Sequence, residues 1–251
     1  MKPLSECLLY TFVDTAFLQG RSPRDLAQQL CDGGSDLIQL RAKHLQPDEI
    51  RRLAEEIRPI TQQAGVALVI NDHFDLALQL GAEFCHLGQE DFFEAGYSHV
   101  FELPALGRSS VRSSAHSSKA RRLSCPSSEV NALQALDPRP PGGDTPGVGL
   151  SSHAPAQAQR AVNAGAAYIA IGPVYVTGTK PDAKPVTLDY VRWAAAHVCL
   201  PWFAIGGINL QNLDQVTGAG ARRVCVVSAI LNSADVRRTC QRFKERLLSA
   251  R

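Results

Sequence analysis

About eight short apolar runs punctuate the chain, and each is followed by a helical pattern or by a gap of helix length. The runs are "LLYTFVD" (8–14), "DLIQLRA" (36–42), "ALVIND" (67–72), "EFCHLG" (83–88), "GVGLSS" (147–152), "AYIAIGPVY" (167–175), "PWFAIGG" (201–207) and "RRVCVVSAI" (222–230). Between them lie stretches such as "SPRDLAQQLCDGG" (22–34), where a serine can cap a helix that glycine closes, and the amphipathic "QPDEIRRLAEEIRPITQQAG" (46–65). Near-continuous apolar strands are buried on both faces, the condition met by a parallel sheet sheathed in helices. About eight βα units in 251 residues match the count and size of a (β/α)8 TIM barrel. A doubly wound open sheet is the competing architecture, but no GxGxxG follows the first run. The expectation is one α/β TIM-barrel domain spanning 1–251.

Residues 92–147 break the rhythm. From 107 to 128 serine dominates and five Lys or Arg residues meet no acid; "DPRPPGGDTPG" follows. So few apolar residues cannot offset the entropy of ordering, so 92–147 reads as a flexible insertion after strand four, with "SEVNALQAL" as one short helix inside it. It is either a tolerated surface excursion or a basic flap over an anionic ligand.

Composition narrows the partners. A formal net charge of +2 and scattered aromatic residues give no footprint for nucleic acid. No window approaches the roughly 18 apolar residues of a membrane span, and "MKPLSECLLYTFVD" is too briefly apolar for a signal peptide. Seven cysteines without a CxxC pair offer neither a zinc ribbon nor a disulfide framework, and they point to a reducing, cytoplasmic compartment.

In a TIM barrel the chemistry collects where the strands end. Strand two ends in Gln39, Arg41 and Lys43, strand three in Asn71 and Asp72, and strand four in "HLGQED", which holds Asp91. Strand five ends in Ser151, strand six in "GPVYVTGTK" (172–180), strand seven in Gly206-Gly207 and strand eight in Val227-Ser228. Glycines and a serine after strands seven and eight suit a phosphate held by backbone N–H groups, although a double glycine also serves as a plain tight turn. Carboxylates beside cations suit Mg²⁺ bridging a diphosphate, although each acid could instead simply pair with a neighbouring base. His86, on a strand, reads as a satisfied core histidine rather than a catalytic one.

"LIQLRAK", "VINDHFDLALQLGAEFCHLGQED", "AGAAYIAIGPVYVTGTKP", "FAIGGI" and "VCVVSAI", in this order, closely resemble the thiamine phosphate synthase family. The resemblance implies a transferase that joins hydroxymethylpyrimidine diphosphate to hydroxyethylthiazole phosphate, giving thiamine phosphate and diphosphate. It implies Mg²⁺ on Asp72 and Asp91, and diphosphate contacts from Arg41, Lys43, Asn71 and Lys180, with Ser151 alongside. Lys180 would close from its loop as the leaving group departs. Gln39 would place the pyrimidine. Thr177, Thr179, Gly207, Val227 and Ser228 would hold the thiazole phosphate. The implied partners are small molecules, and a homo-oligomer is compatible with the sequence.

Two features depart from the family pattern. An acid commonly stands between the Arg and Lys of strand two, and here the residue is Ala42. The strand-five serine also comes late, with Ser109 of "LGRSS" competing with Ser151 for its place; the helix-like continuation after 151 favours Ser151. Two other readings remain. One is a TenI-like protein that aromatises a thiazole phosphate; the other is a non-catalytic barrel that binds thiamine-pathway phosphates.

Overall fold

The computed structural model describes residues 2–107, 145–178 and 184–250. Eight parallel strands close into a barrel: β1 (Leu9–Asp14), β2 (Leu37–Arg41), β3 (Ala67–Asn71), β4 (Phe84–Leu87), β5 (Gly147–Ser152), β6 (Tyr168–Ile171), β7 (Trp202–Ile205) and β8 (Val224–Cys225). Each pairs with its successor, and β8 returns to β1 through Leu9↔Val224 and Tyr10↔Cys225. The β1–β2 register sets Asp14 opposite Arg41 at the mouth.

Helices follow the strands: α1 (Pro23–Asp32), α2 (Pro47–Ala64), α3 (Phe74–Leu80), α4 (Gln89–Glu94), α5 (Pro155–Asn163), α6 (Thr187–His197), α7 (Leu213–Gly218), α8 (Ser228–Leu231) and α9 (Val236–Ser249). Their ends obey local chemistry. The Ser22 hydroxyl accepts from the Asp25 amide at 3.2 Å and so caps α1. Gln46 and Glu49 form a capping box on α2, which ends at Gly65 with φ 66°.

The barrel interior is packed. Tyr168 meets Tyr10, Phe84 and Phe203 edge-on, with ring centroids 5.7–5.9 Å apart. Gly149 makes room for this ring, because a Cβ there would lie 2.1 Å from Tyr168 Cζ. At the opposite end from the mouth, the buried Asp36 carboxylate accepts from the amides of Leu8 (2.7 Å) and Leu9 (3.0 Å). It also pairs with Lys244 of α9, joining the first strand to the last helix. Among the described residues no helix is long and apolar enough to cross a membrane. Cys7, Cys31, Cys85, Cys225 and Cys240 are free thiols, whereas Cys199 is disulfide-bonded.

Three sequence expectations change or sharpen here. The run "RRVCVVSAI" is not one strand: β8 stops at Cys225 and Ser228 opens α8, whose Ile230 and Leu231 are buried. The irregular stretch is folded at its start. Phe92 is buried, Leu103 joins the core, and the Val100 amide donates to the Ala164 carbonyl at 2.9 Å. Finally, Ser151 occupies the end of β5, paired with Ala170 of β6, which settles the strand-five position in its favour. Ser109, the "SEVNALQAL" segment and the rest of the stretch up to 144 lie outside the described residues.

Candidate functional site

The C-terminal ends of the strands surround one cavity. On one side stand Gln39, Arg41 and Lys43 from the end of β2, Asn71 and Asp72 from β3, and Asp91 from α4. Across the mouth are Thr177, Gly207, Val227 and Ser228, with Ser151 of β5 between the two sides. Every predicted site residue within the described range therefore reaches the same cavity. Thr179 and Lys180 lie outside the described residues.

The cationic side is held from within the barrel. Arg41 Nη1 donates to Asp14 Oδ2 at 2.8 Å, and its side chain is only 15% exposed. Lys43 is looser, 3.9 Å from Asp72, with both side chains more than a third exposed. A pair so exposed contributes little to stability, so Lys43 stays available to an anion. Asp72 adopts φ 64°, a left-handed conformation that is uncommon outside glycine. Its amide donates to the His86 carbonyl at 2.9 Å, and its carboxylate accepts from Asn71 Nδ2 at 2.6 Å. The backbone strain is thus fixed by neighbours on two strands, and it turns the carboxylate to the mouth.

Among the described residues no cluster of three or more His, Cys, Asp and Glu could cage a metal. Two carboxylates at one mouth instead match the habit of Mg²⁺, which takes one or two protein oxygens and completes its shell with phosphates and water. The donor set fits that ion with a phosphorylated ligand present.

The opposite side depends on close backbone approach. Gly206 and Gly207 have φ 101° and 64°. A Cβ on Gly206 would lie 2.4 Å from Pro173 Cα, and one on Gly207 would lie 2.6 Å from the Val176 carbonyl oxygen. The β7 turn therefore lies directly against the loop after β6, and the double glycine is a packing requirement as well as a turn. Gly206→Ala is expected to destabilise the fold by about 1–3 kcal/mol, read by denaturant titration, because both clash and strained φ act on backbone. Unchanged stability would mean that the two loops part at no cost.

Below the mouth runs a polar chain that the sequence reading missed. Gln39 Nε2 donates to Tyr10 Oη, which shares a 3.0 Å hydrogen bond with Tyr168 Oη. Tyr168 bonds His86 Nδ1 at 3.2 Å, and His86 Nε2 bonds Ser151 Oγ at 3.1 Å. Burial pushes both tyrosines well above their ordinary range, so they remain neutral hydroxyls. His86 is satisfied, as expected of a core histidine, yet it also lines the cavity. His153, two residues before α5, lines it too and hydrogen-bonds the Gly172 carbonyl through Nδ1.

The chain has relatives along almost its whole length. The family model described as thiamine monophosphate synthase matches residues 9–124 and 131–230, a span that takes in most of the irregular stretch. The chain is 32% identical to the thiamine-phosphate synthase of Lawsonia intracellularis over 96% of this chain and 93% of that one. It is 37% identical to the thiamine-phosphate synthase of Thermus thermophilus over 89% of this chain and 88% of that one. A solved structure, the thiamine phosphate pyrophosphorylase of Pyrococcus furiosus, superposes with a TM-score of 0.71 at 21% identity, covering 98% of both chains, and supports the fold. With the family model matched along almost the whole barrel and full-length relatives above 30% identity, the chain belongs to the thiamine monophosphate synthase family.

Proposed function

We propose that this chain transfers a hydroxymethylpyrimidine group from its diphosphate to the ring nitrogen of hydroxyethylthiazole phosphate, giving thiamine phosphate and diphosphate. The observation that carries this reading is the division of one cavity: cations and carboxylates on β2 to β4 face a hydroxyl- and glycine-lined wall from β6 to α8. One side suits a diphosphate, the other a monophosphate, and the space between them brings two substrates together.

The bond that breaks joins the pyrimidine methylene carbon to the diphosphate oxygen, and the electron pair leaves with the diphosphate. The electron-poor methylene is supported by the ring amino group and is captured by the lone pair of the thiazole nitrogen. Arg41 and Lys43 place positive charge where the leaving oxygen gains negative charge, which is where fixed electrostatics help most. Gln39, held through Tyr10, orients the pyrimidine, and Asn71 and Ser151 lie beside the diphosphate. Thr177, Gly207, Val227 and Ser228 hold the thiazole phosphate. Thr179 and Lys180 are assigned to the same loop on family resemblance, with Lys180 following the departing charge. Asp72 and Asp91 would hold Mg²⁺, which when bound neutralises the diphosphate and eases its departure.

A barrel that only aromatises a thiazole phosphate, or only binds one, has no use for Arg41, Lys43, Asp72 and Asp91 at one mouth. The cytoplasmic expectation rests on the free thiols Cys7, Cys31, Cys85, Cys225 and Cys240, against the disulfide at Cys199. The test is thiamine phosphate formation by the purified chain with both substrates and Mg²⁺, repeated with a chelator. Product that vanishes on chelation supports the reading, and its absence in both arms sinks it. Within it, Ser228→Ala is expected to weaken thiazole phosphate binding by about tenfold in calorimetry, the loss of one hydrogen bond to a charged group. Unchanged affinity would remove Ser228 from the phosphate site.

A further inference from the structure

We propose that Asp14 is a positioning residue that presets the Arg41 guanidinium for the diphosphate, an inference that rests on the function proposed above. Asp14 ends β1 and Arg41 ends β2, and the strand register places them side by side. The Asp14 carboxylate is 1% exposed and fixed at both oxygens: Oδ1 accepts from the Ala16 amide at 3.0 Å and Oδ2 from Arg41 Nη1 at 2.8 Å. Arg41 lines the cavity and Asp14 does not. The carboxylate thus holds the guanidinium through Nη1, while Arg41 still lines the cavity.

The family resemblance sets an acid between the two strand-two cations, but residue 42 here is buried. The carboxylate that reaches Arg41 comes instead from the neighbouring strand, where a closed barrel supplies it at the same height. Lys43 has no such backing, since its contact with Asp72 is 3.9 Å between half-exposed groups. Of the two described cations, Arg41 is the one held in place before a ligand arrives. A free arginine side chain loses considerable rotamer freedom when it is fixed, so fixing it in advance lowers the cost of binding. The geometry is meant for an anion that needs directed donors rather than diffuse charge.

The test is a double-mutant cycle read by calorimetric binding of inorganic diphosphate with Mg²⁺. It uses the full chain, Asp14→Asn, Arg41→Ala and the pair. Asparagine keeps the size and the acceptor for the Ala16 amide but loses the charge. Asp14→Asn is expected to weaken diphosphate binding about tenfold and to leave thiazole phosphate affinity within about twofold. In the Arg41→Ala background the same change should cost nothing further. Unchanged diphosphate binding by Asp14→Asn, or losses that multiply in the pair, would overturn the proposal, since a merely structural carboxylate acts whether or not Arg41 is present. If Asp14→Asn does not fold, Asp14→Glu takes its place, with the same coupled pattern expected and the same two outcomes against it. Turnover measured alongside separates the two claims. A coupled cycle in a chain that makes no thiamine phosphate would support Asp14 as positioning residue and refute the synthase reading.

Discussion

Asp91→Ala is expected to lower turnover by about a thousandfold while thiazole phosphate affinity stays within about twofold. The magnitude follows from removing one charged participant at a site where leaving-group charge develops, a loss of about 3–4 kcal/mol in the barrier. The selectivity follows from placement. Asp91 belongs to the first turn of α4, on the β2–β4 side of the cavity, whereas the thiazole phosphate wall is built from the β6 loop to α8. Asp91 is exposed, so the substitution removes no core packing. Steady-state turnover and calorimetry on the same preparation check both halves. Equal loss of turnover and thiazole phosphate affinity would make Asp91 a support for the barrel rim rather than a metal ligand.

Asp36→Ala is expected to cost about 3–5 kcal/mol of folding free energy, because it leaves Lys244 and the Leu8 and Leu9 amides without their buried acceptor. Lys244 is 14% exposed and Asp36 2%, so the pair is shielded from water; Lys2, 57% exposed, adds little. The contribution has a defined pH dependence. Burial acts to raise the Asp36 carboxyl, but the Lys244 ammonium and the Leu8 and Leu9 amides outweigh it and hold the group below its ordinary 3.8. A folded value below the unfolded one means stability that is complete above 3.8 and is lost as pH falls through the folded value. Urea titrations of wild type and Asp36→Asn should therefore differ fully at neutral pH and converge in acid. A difference that stays constant with pH would assign the effect to packing instead of charge.

Much of this was legible because barrel geometry is periodic. Residues at the ends of apolar runs fall at one rim whatever the loops between them do. Gln39, Arg41, Lys43, Asn71, Asp72, Asp91 and Ser151 therefore reached the cavity without any knowledge of contacts. Asp14 escaped notice because its carboxylate is buried behind Arg41, and its partner follows from strand register rather than from spacing in the chain. Tyr10 and Tyr168 carry no signal in the sequence, since only closure of the barrel sets their hydroxyls 3.0 Å apart. The run after Arg223 misled because Val, Ser, Ala and Ile serve a strand or one turn of helix equally well at that length. The opening of the irregular stretch misled for a related reason. Phe92 and Leu103 are isolated apolar residues in polar sequence, and their burial depends on a barrel wall that composition does not display.

The most direct test of the central claim is stoichiometric. Diphosphate and thiamine phosphate should be counted in one quenched reaction containing the chain, both substrates and Mg²⁺, with each substrate omitted in turn. The account predicts one diphosphate released for each thiamine phosphate formed, and neither product when the thiazole phosphate is left out. A thiazole phosphate that binds, or changes its spectrum, with no diphosphate released would contradict it.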